Sequence, residues 1–284
     1  MTGRILALID GSIYSQSVCE HAVWAAQRLG APVDILHVLG RREAPATTDL
    51  SGSIRLGART KLLEELAELD AQRARLNTAR GRAILEDARA IVDAGGIDTI
   101  TTRLRHGDIV ETVAEQDEGT DLIVIGKRGE AADFAKGHLG SNLERIVRAS
   151  RRPVLVAARA FKPIGRVLMA YDGGPTAMRA VDTMARSPLF TGLAVHLVTV
   201  AAPAEAVTRA LDAARAMLRA AAIEATAEAL PGDPPAVLGQ LVDSAPFDLL
   251  VMGAYSHSRV RTFVIGSTTT EMMRSCKVPV LLFR

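Results

Sequence analysis

Aromatic residues are scarce in this 284-residue chain, 4% with a single Trp, so its cores must be filled by the Val, Leu, Ile and Ala that dominate a 48% hydrophobic content. Only two cysteines occur, Cys19 and Cys276, far apart and without a CxxC or CxxH partner. That pattern excludes a disulfide framework and a structural zinc, and reads both as buried thiols. Neither sign of charge is in surplus: 34 basic and 32 acidic residues leave +2, and both halves are close to balance, so no basic face for nucleic acid is expected. Long apolar runs are absent too. Nothing approaches the roughly 18 residues needed to span a bilayer, and Ile5 to Ile9 is too short for a signal-peptide core. A cytoplasmic protein without a membrane span is the expectation. Missing as well are GxxxxGK[ST], a GxGxxG after the first strand, and a GxSxG elbow, so P-loop, dinucleotide and Ser-His-Asp chemistry find no support.

What is present is a long motif that occurs twice. Residues 121–158 read as an apolar strand (Leu122 to Ile125), glycines at 126, 129 and 140, a hydroxyl at Ser141, a helical segment, then Pro153 and a second apolar run. From Asp248 the plan repeats as DLLVMG, a loop, Gly266-Ser267-Thr268, a helix, and Pro279 before VLLFR. A glycine loop feeding a helix start leaves backbone N–H groups at the positive end of the helix dipole, which favours an anion such as phosphate. The amides at 140–142 and 266–268 are therefore the candidate cradle, made twice.

The rest of the chain shares this duplication. Residues 4–9 and 33–39 are short, apolar and β-branched, with Val18, Ala22, Ala25 and Leu29 on one helical face between them. Such a strand-helix-strand segment is a right-handed parallel unit. A loop from Arg41 to about Gly57 precedes a long helical region marked by Leu62, Leu66, Leu69, Ile84, Ala88 and Ile91, with a break or bend expected around Asn77 to Gly81. A third strand is expected near 97–104, a short helix near 109–114 and a fourth strand at 121–125. After a linker at 159–165 the order restarts. Asp172 follows Asp10 by 162 positions, as Val200 follows Val38; Gly232 follows Gly107 by 125, and Gly266 follows Gly140 by 126, as Pro279 follows Pro153. About 37 residues of the first half are thus absent from the second, within the insertion at 41–96. The expected domains are 1–158 and 166–284, each a five-stranded parallel α/β sheet with helices on both faces, and the closing strands 153–158 and 279–284 are expected to pair between the halves.

Several residues carry two readings. Asp10 and Asp172, at the carboxyl ends of first strands, either bond the edge of a ligand in the crevice or cap the following helix. Ser141 and Ser267 serve both as helix caps and as phosphate donors. Lys127, Arg128 and Arg259 either neutralise phosphate or are solvated. Gly107-Asp108 and Gly232-Asp233 read as a tight turn with a helix cap. His37 reads as a core or ladder residue, and Trp24 as packing.

On these residues the chain resembles the universal stress proteins in their tandem, two-domain form. In nucleotide-binding members the motif is Gly, two residues, Gly, nine residues, Gly, then Ser or Thr, with an Asp ending the first strand and a small apolar residue ending the second. The resemblance implies a Rossmann-like fold of the adenine nucleotide alpha hydrolase type. It implies that ATP, with or without Mg2+, is the ligand. The adenine or ribose end would be met by Asp10 and Val38, or by Asp172 and Val200. The phosphates would be met by Gly126, Gly129, Gly140, Ser141 and Asn142, or by Gly253, Ser256, Gly266, Ser267 and Thr268. The chain departs from the pattern twice: ten residues rather than nine separate Gly129 from Gly140, and Ser256 replaces the second glycine. DGSIYS and DGGPTA stand where related ATP-cleaving sheet folds carry an SGGxDS loop, so at most slow ATP hydrolysis is expected. The implied function is a stress-response module that changes shape or protein partner with bound nucleotide, one chain imitating the family's dimer, with a homodimer of chains left open. The alternative is a scaffold or small-apolar-ligand binder on the same fold, motivated by the departures and by the leucine-rich 58–93 segment.

Overall fold

The computed structural model describes residues 3–40, 56–127, 140–254 and 266–284, the side chains of 56–61 and of 141 excepted. The first half runs β1 (Arg4–Ile9), α1 (Ser15–Leu29), β2 (Val33–Leu39), α2 (Leu56–Ala94), β3 (Ile100–His106), α3 (Ile109–Glu115), β4 (Thr120–Gly126), α4 (Ser141–Ala149) and β5 (Val154–Ala157). The second half repeats it as β6 (Arg166–Ala170), α5 (Pro175–Arg186), β7 (Ala194–Val200), α6 (Glu205–Ala220), β8 (Glu224–Leu230), α7 (Pro234–Ser244), β9 (Leu249–Gly253), α8 (Ser267–Ser275) and β10 (Val280–Phe283).

All ten strands form one sheet in the order β3-β2-β1-β4-β5-β10-β9-β6-β7-β8. Every neighbouring pair is parallel except the central one, where β5 and β10 run antiparallel with Leu155 opposite Leu281. Each half thus supplies five parallel strands, and the two expected edges close on each other. Because strand direction reverses at this seam, the carboxyl ends of the two halves point to opposite edges of the sheet.

Alternation along the strands sorts side chains into two cores. Ile5, Ala7, Val33, Ile35, Leu122 and Val124 face α1, α2, α5 and α6, while Leu6, Leu8, Leu36, Ile123 and Ile125 face α3, α4, α7 and α8. Each core runs through both halves, so the chain folds as one doubly covered sheet. The linker is packed rather than loose: the Ser17 hydroxyl donates to the Ala158 carbonyl at 2.8 Å, and the His21 ring meets Phe161 edge-on at 5.0 Å. Cys19 and Cys276 are free and buried, and burial pushes the Cys19 thiol up to about 12. At the outer strands a buried carboxylate, Asp34, takes Arg4 at 3.1 Å and Arg103 at 3.2 Å. Its counterpart in the second half is His196, which pairs with Glu228 at 2.8 Å. Among the described residues no helix is long and apolar enough to cross a membrane.

The break expected near Asn77 to Gly81 does not occur. α2 is one helix of 39 residues, and the third strand begins at Ile100 rather than near 97. Gly81 has a packing role: a Cβ there would lie 2.8 Å from Leu104 Cδ1 and 3.1 Å from His37 Cδ2. The glycine lets the helix backbone settle onto β2 and β3, a tertiary demand that propensity cannot reveal.

Candidate functional site

In each half, strand order reverses where the first strand meets the fourth, at β1/β4 and at β6/β9. Open α/β sheets bind ligands in the crevice at such points, outside the carboxyl ends of the strands. Register brings the expected residues to that corner. Ile9 pairs with His37 and Leu8 with Ile125, which sets Asp10 beside Val38 and Ile9 beside Gly126. Ala170 pairs with Val198 and Met169 with Val251, which sets Asp172 beside Val200 and Tyr171 beside Gly253. Val38 and Val200 are half-buried against the core shared with α4 and α8.

The turns after β1 and β6 depend on their aspartates. Ser12 donates its amide to Asp10 Oδ1 at 3.0 Å, and Gly174 donates to Asp172 Oδ1 at 2.9 Å. Gly11 and Gly173 take φ of +77° and +74°, the left-handed region that glycine enters without penalty. The aspartates are not helix caps, since α1 is preceded by Tyr14 and α5 by Gly174 in the cap position. They brace the turn and stand at the crevice.

Each turn is pinned from the neighbouring strand. His37 Nδ1 lies 2.8 Å from the Ile9 carbonyl, and the Thr199 hydroxyl donates to the Tyr171 carbonyl at 2.6 Å. These are equivalent positions in β2 and β7, each holding the carbonyl that immediately precedes the aspartate. With Nδ1 donating, His37 acts as a positioning residue.

The helix starts define the site. α4 begins after Gly140 (φ −61°, ψ 129°) and α8 after Gly266 (φ −59°, ψ 144°), and neither cap position makes a side-chain hydrogen bond. By contrast α3 is capped by Asp108, which accepts from Val110 and Glu111, and α7 by Asp233, which accepts from Ala236. The expected Gly-Asp turn and cap is therefore present twice. Arg145 of α4 pairs with Asp108 at 2.7 Å and, with the amide bonds, holds that carboxyl below its ordinary range. Backbone bonds close both loops: the Gly140 amide donates to the Lys127 carbonyl and the Gly266 amide to the Ala254 carbonyl, each at 3.2 Å. Each of these helix starts is thereby fixed beside the end of its own strand, β4 or β9.

Other expectations shift. Ser141 and Ser267 are the first helical residues, not the caps, so their backbones lie in the first turn. Asn142 and Ser267 are exposed and Thr268 is half-buried. Lys127 is buried, and its ammonium donates to the Cys276 carbonyl at the end of α8. Gly129, Ser256, Arg128 and Arg259 lie outside the described residues. Sequence reasoning missed Thr269, whose hydroxyl donates to the Gly253 carbonyl at 2.9 Å and ties the first turn of α8 to the end of β9. The only sequence signal for it was the Thr268-Thr269-Thr270 run. Among the described residues no group of three or more His, Cys, Asp or Glu is placed to hold a metal ion.

The two corners differ in surroundings. At Gly11 a Cβ would lie 2.6 Å from Ile84 Cδ1, because α2 packs against the turn; at Gly173 no described atom lies within 4 Å.

The model described as the universal stress protein family matches residues 1–158 and again 163–284. Universal stress protein Slr1230 of Synechocystis sp. is 36% identical over 286 residues, covering 99% of each chain. Universal stress protein MJ0577 of Methanocaldococcus jannaschii is 27% identical over 162 residues, 56% of this chain and 96% of that one. Among solved structures, a universal stress protein from Archaeoglobus fulgidus superimposes with a TM-score of 0.70 at 22% identity, over 99% of this chain and 95% of that one. At that identity the likeness speaks for the fold.

Proposed function

Because the chain belongs to the universal stress protein family, we propose that it binds an adenine nucleotide, ATP, at the two strand-end corners and works through nucleotide-dependent shape or partner choice rather than turnover. One observation carries this reading. At each switch point a helix starts from a glycine without a side-chain cap and is tied back to the strand end by a backbone bond. Such a start presents oriented amides and a positive dipole end to an anion at no reorganisation cost. Asp10 with Val38, and Asp172 with Val200, would take the adenine or ribose end. Gly126, Gly140, Ser141 and Asn142, or Gly253, Gly266, Ser267 and Thr268, would take the phosphates, with Gly129 and Ser256 completing the two motifs. Mg2+ would accompany the phosphates, held by them and by water.

The bond from Lys127 to the Cys276 carbonyl supports a conformational role. Lys127 follows Gly126 at the first loop, and α8 runs from the second loop to Cys276. A nucleotide held at the first loop would thus be felt by a helix of the other half.

Titration calorimetry of ATP into the purified chain tests the proposal. Saturable heat with one or two equivalents is expected, and mass spectrometry of the denatured protein is expected to release adenine nucleotide. Absence of both heat and thermal stabilisation at millimolar ATP removes the reading. Ile84 against Gly11 favours a second reading for the first corner, that of a small-apolar-ligand or scaffold site. A lipid-like molecule in the same extract would support it.

A further inference from the structure

We propose that two copies of this chain associate through the projecting half of α2, with the two helices packed antiparallel. α2 has 39 residues, about 58 Å at 1.5 Å per residue, against about 23 Å for the seven residues of β2. It connects two parallel strands and so runs antiparallel to them, which sends its first half past the carboxyl edge of the sheet. Gly81, Leu85, Ala88 and Val92 are buried against the body, whereas no residue from 62 to 80 is buried.

That projecting stretch is nonetheless apolar along one line. Leu62, Leu66, Leu69 and Leu76 follow 4,3-type spacing, with Arg73 in register between the last two. Leu69 is 50% exposed and Leu76 69%, and Leu63 beside them is 43% exposed. A leucine row of this spacing, with no described residue covering it, fits another helix better than it fits water.

Charge selects the occupant and its direction. Glu64, Glu65, Glu68 and Asp70 form an acidic block, and Arg73, Arg75, Arg80 and Arg82 form a basic block directly after it. Glu64, Glu65, Glu68, Arg73 and Arg75 make no ion pair among the described residues. A second copy laid parallel sets like on like. Laid antiparallel about a point near residue 71, it sets each acidic block beside the other copy's basic block, with Leu66 of one copy next to Leu76 of the other. The pattern is self-complementary, as a two-fold interface requires.

Light scattering after size exclusion tests the proposal on the full chain. The expected mass is twice 30.2 kDa, shifting toward the single chain at high salt as the charge blocks are screened. Leu69→Arg with Leu76→Arg is expected to restore the single-chain mass with an unchanged circular dichroism spectrum, since both side chains are half or more exposed and position 69 of one copy lies beside Arg73 of the other. For direction, Leu66→Cys and Leu76→Cys chains mixed under oxidation are expected to cross-link with each other at least tenfold more than either does alone. A single-chain mass for the wild type at high micromolar concentration overturns the proposal, whether or not another protein binds α2. So does a dimer that survives the double leucine variant. Self-linking of Leu66→Cys equal to mixed linking overturns the antiparallel arrangement.

Discussion

Replacing Gly140 and Gly266 together by Asp separates the folding role of the two helix starts from their binding role. Both glycines have φ near −60° with ψ of 129° and 144°, a region open to any L-residue, so the substitution introduces no backbone strain. An Asp in the cap position accepts from the amides of the first turn and interacts with the helix dipole. Relative to Gly these effects add a few tenths to about 1 kcal/mol per helix. The same carboxylate occupies the place a phosphate would take. At about 4 Å and an effective dielectric constant of about 20, one unit of like charge costs about 4 kcal/mol, and screening to half of that still lowers affinity about 30-fold. The expected result is a chain that unfolds at equal or higher temperature yet has lost ATP binding by calorimetry. A double variant that is stabilised and titrates with ATP as the wild type does would refute the assignment of phosphate to these amides.

Two helical glycines should respond differently to alanine. Gly239→Ala in α7, where a Cβ meets nothing within 4 Å, should stabilise by about 0.5–1 kcal/mol in urea denaturation. Gly81→Ala, squeezed against Leu104 and His37, should lose that gain to overpacking of about 1–3 kcal/mol and come out neutral or destabilised; equal stabilisation in both refutes the packing role of Gly81. His21 is fully buried, and burial lowers its affinity for a proton below the ordinary 6.5. The unfolded chain therefore binds a proton that the folded chain refuses, so stability is unaffected by this group above pH 6.5 and falls as pH drops below it, by up to about 1.4 kcal/mol per unit. Denaturant midpoints between pH 7 and 5 should show that slope in the wild type and lack it in His21→Gln, and equal slopes would contradict it. Asp34→Ala leaves Arg4 and Arg103 without their buried partner and should cost about 2–4 kcal/mol, measured the same way; a loss under 0.5 kcal/mol would show that the arginines re-solvate freely.

Much of this architecture was legible because its signals are local and repeated. Apolar runs, the Gly-Asp turns and the offsets between Asp10 and Asp172 or Gly140 and Gly266 each survive without knowledge of what packs where. The residues misread were those whose role is set across space. Gly81 looked like a helix breaker because its reason, Leu104 and the His37 ring, lies on other strands. Lys127 read either as a phosphate partner or as a solvated cation, but it is buried and the carbonyl it serves belongs to a residue 149 positions away. Ser141 and Ser267 were one position off as caps, which hydroxyl chemistry alone cannot resolve. His37 and Thr199 perform the same task with different side chains, so no comparison of residue types would have linked them.

The antiparallel seam between β5 and β10 also releases the molecule from a constraint. When two identical subunits meet at such a junction, every change is made twice and must suit both environments. Here both sides of the junction are written into one chain, so an alteration falls on one side of the seam and leaves the other as it was. The long helix, the exchange of Asp34 for His196, and the separate departures in the two glycine loops are all one-sided. Joining the halves end to end thus allows one crevice to change without changing the other.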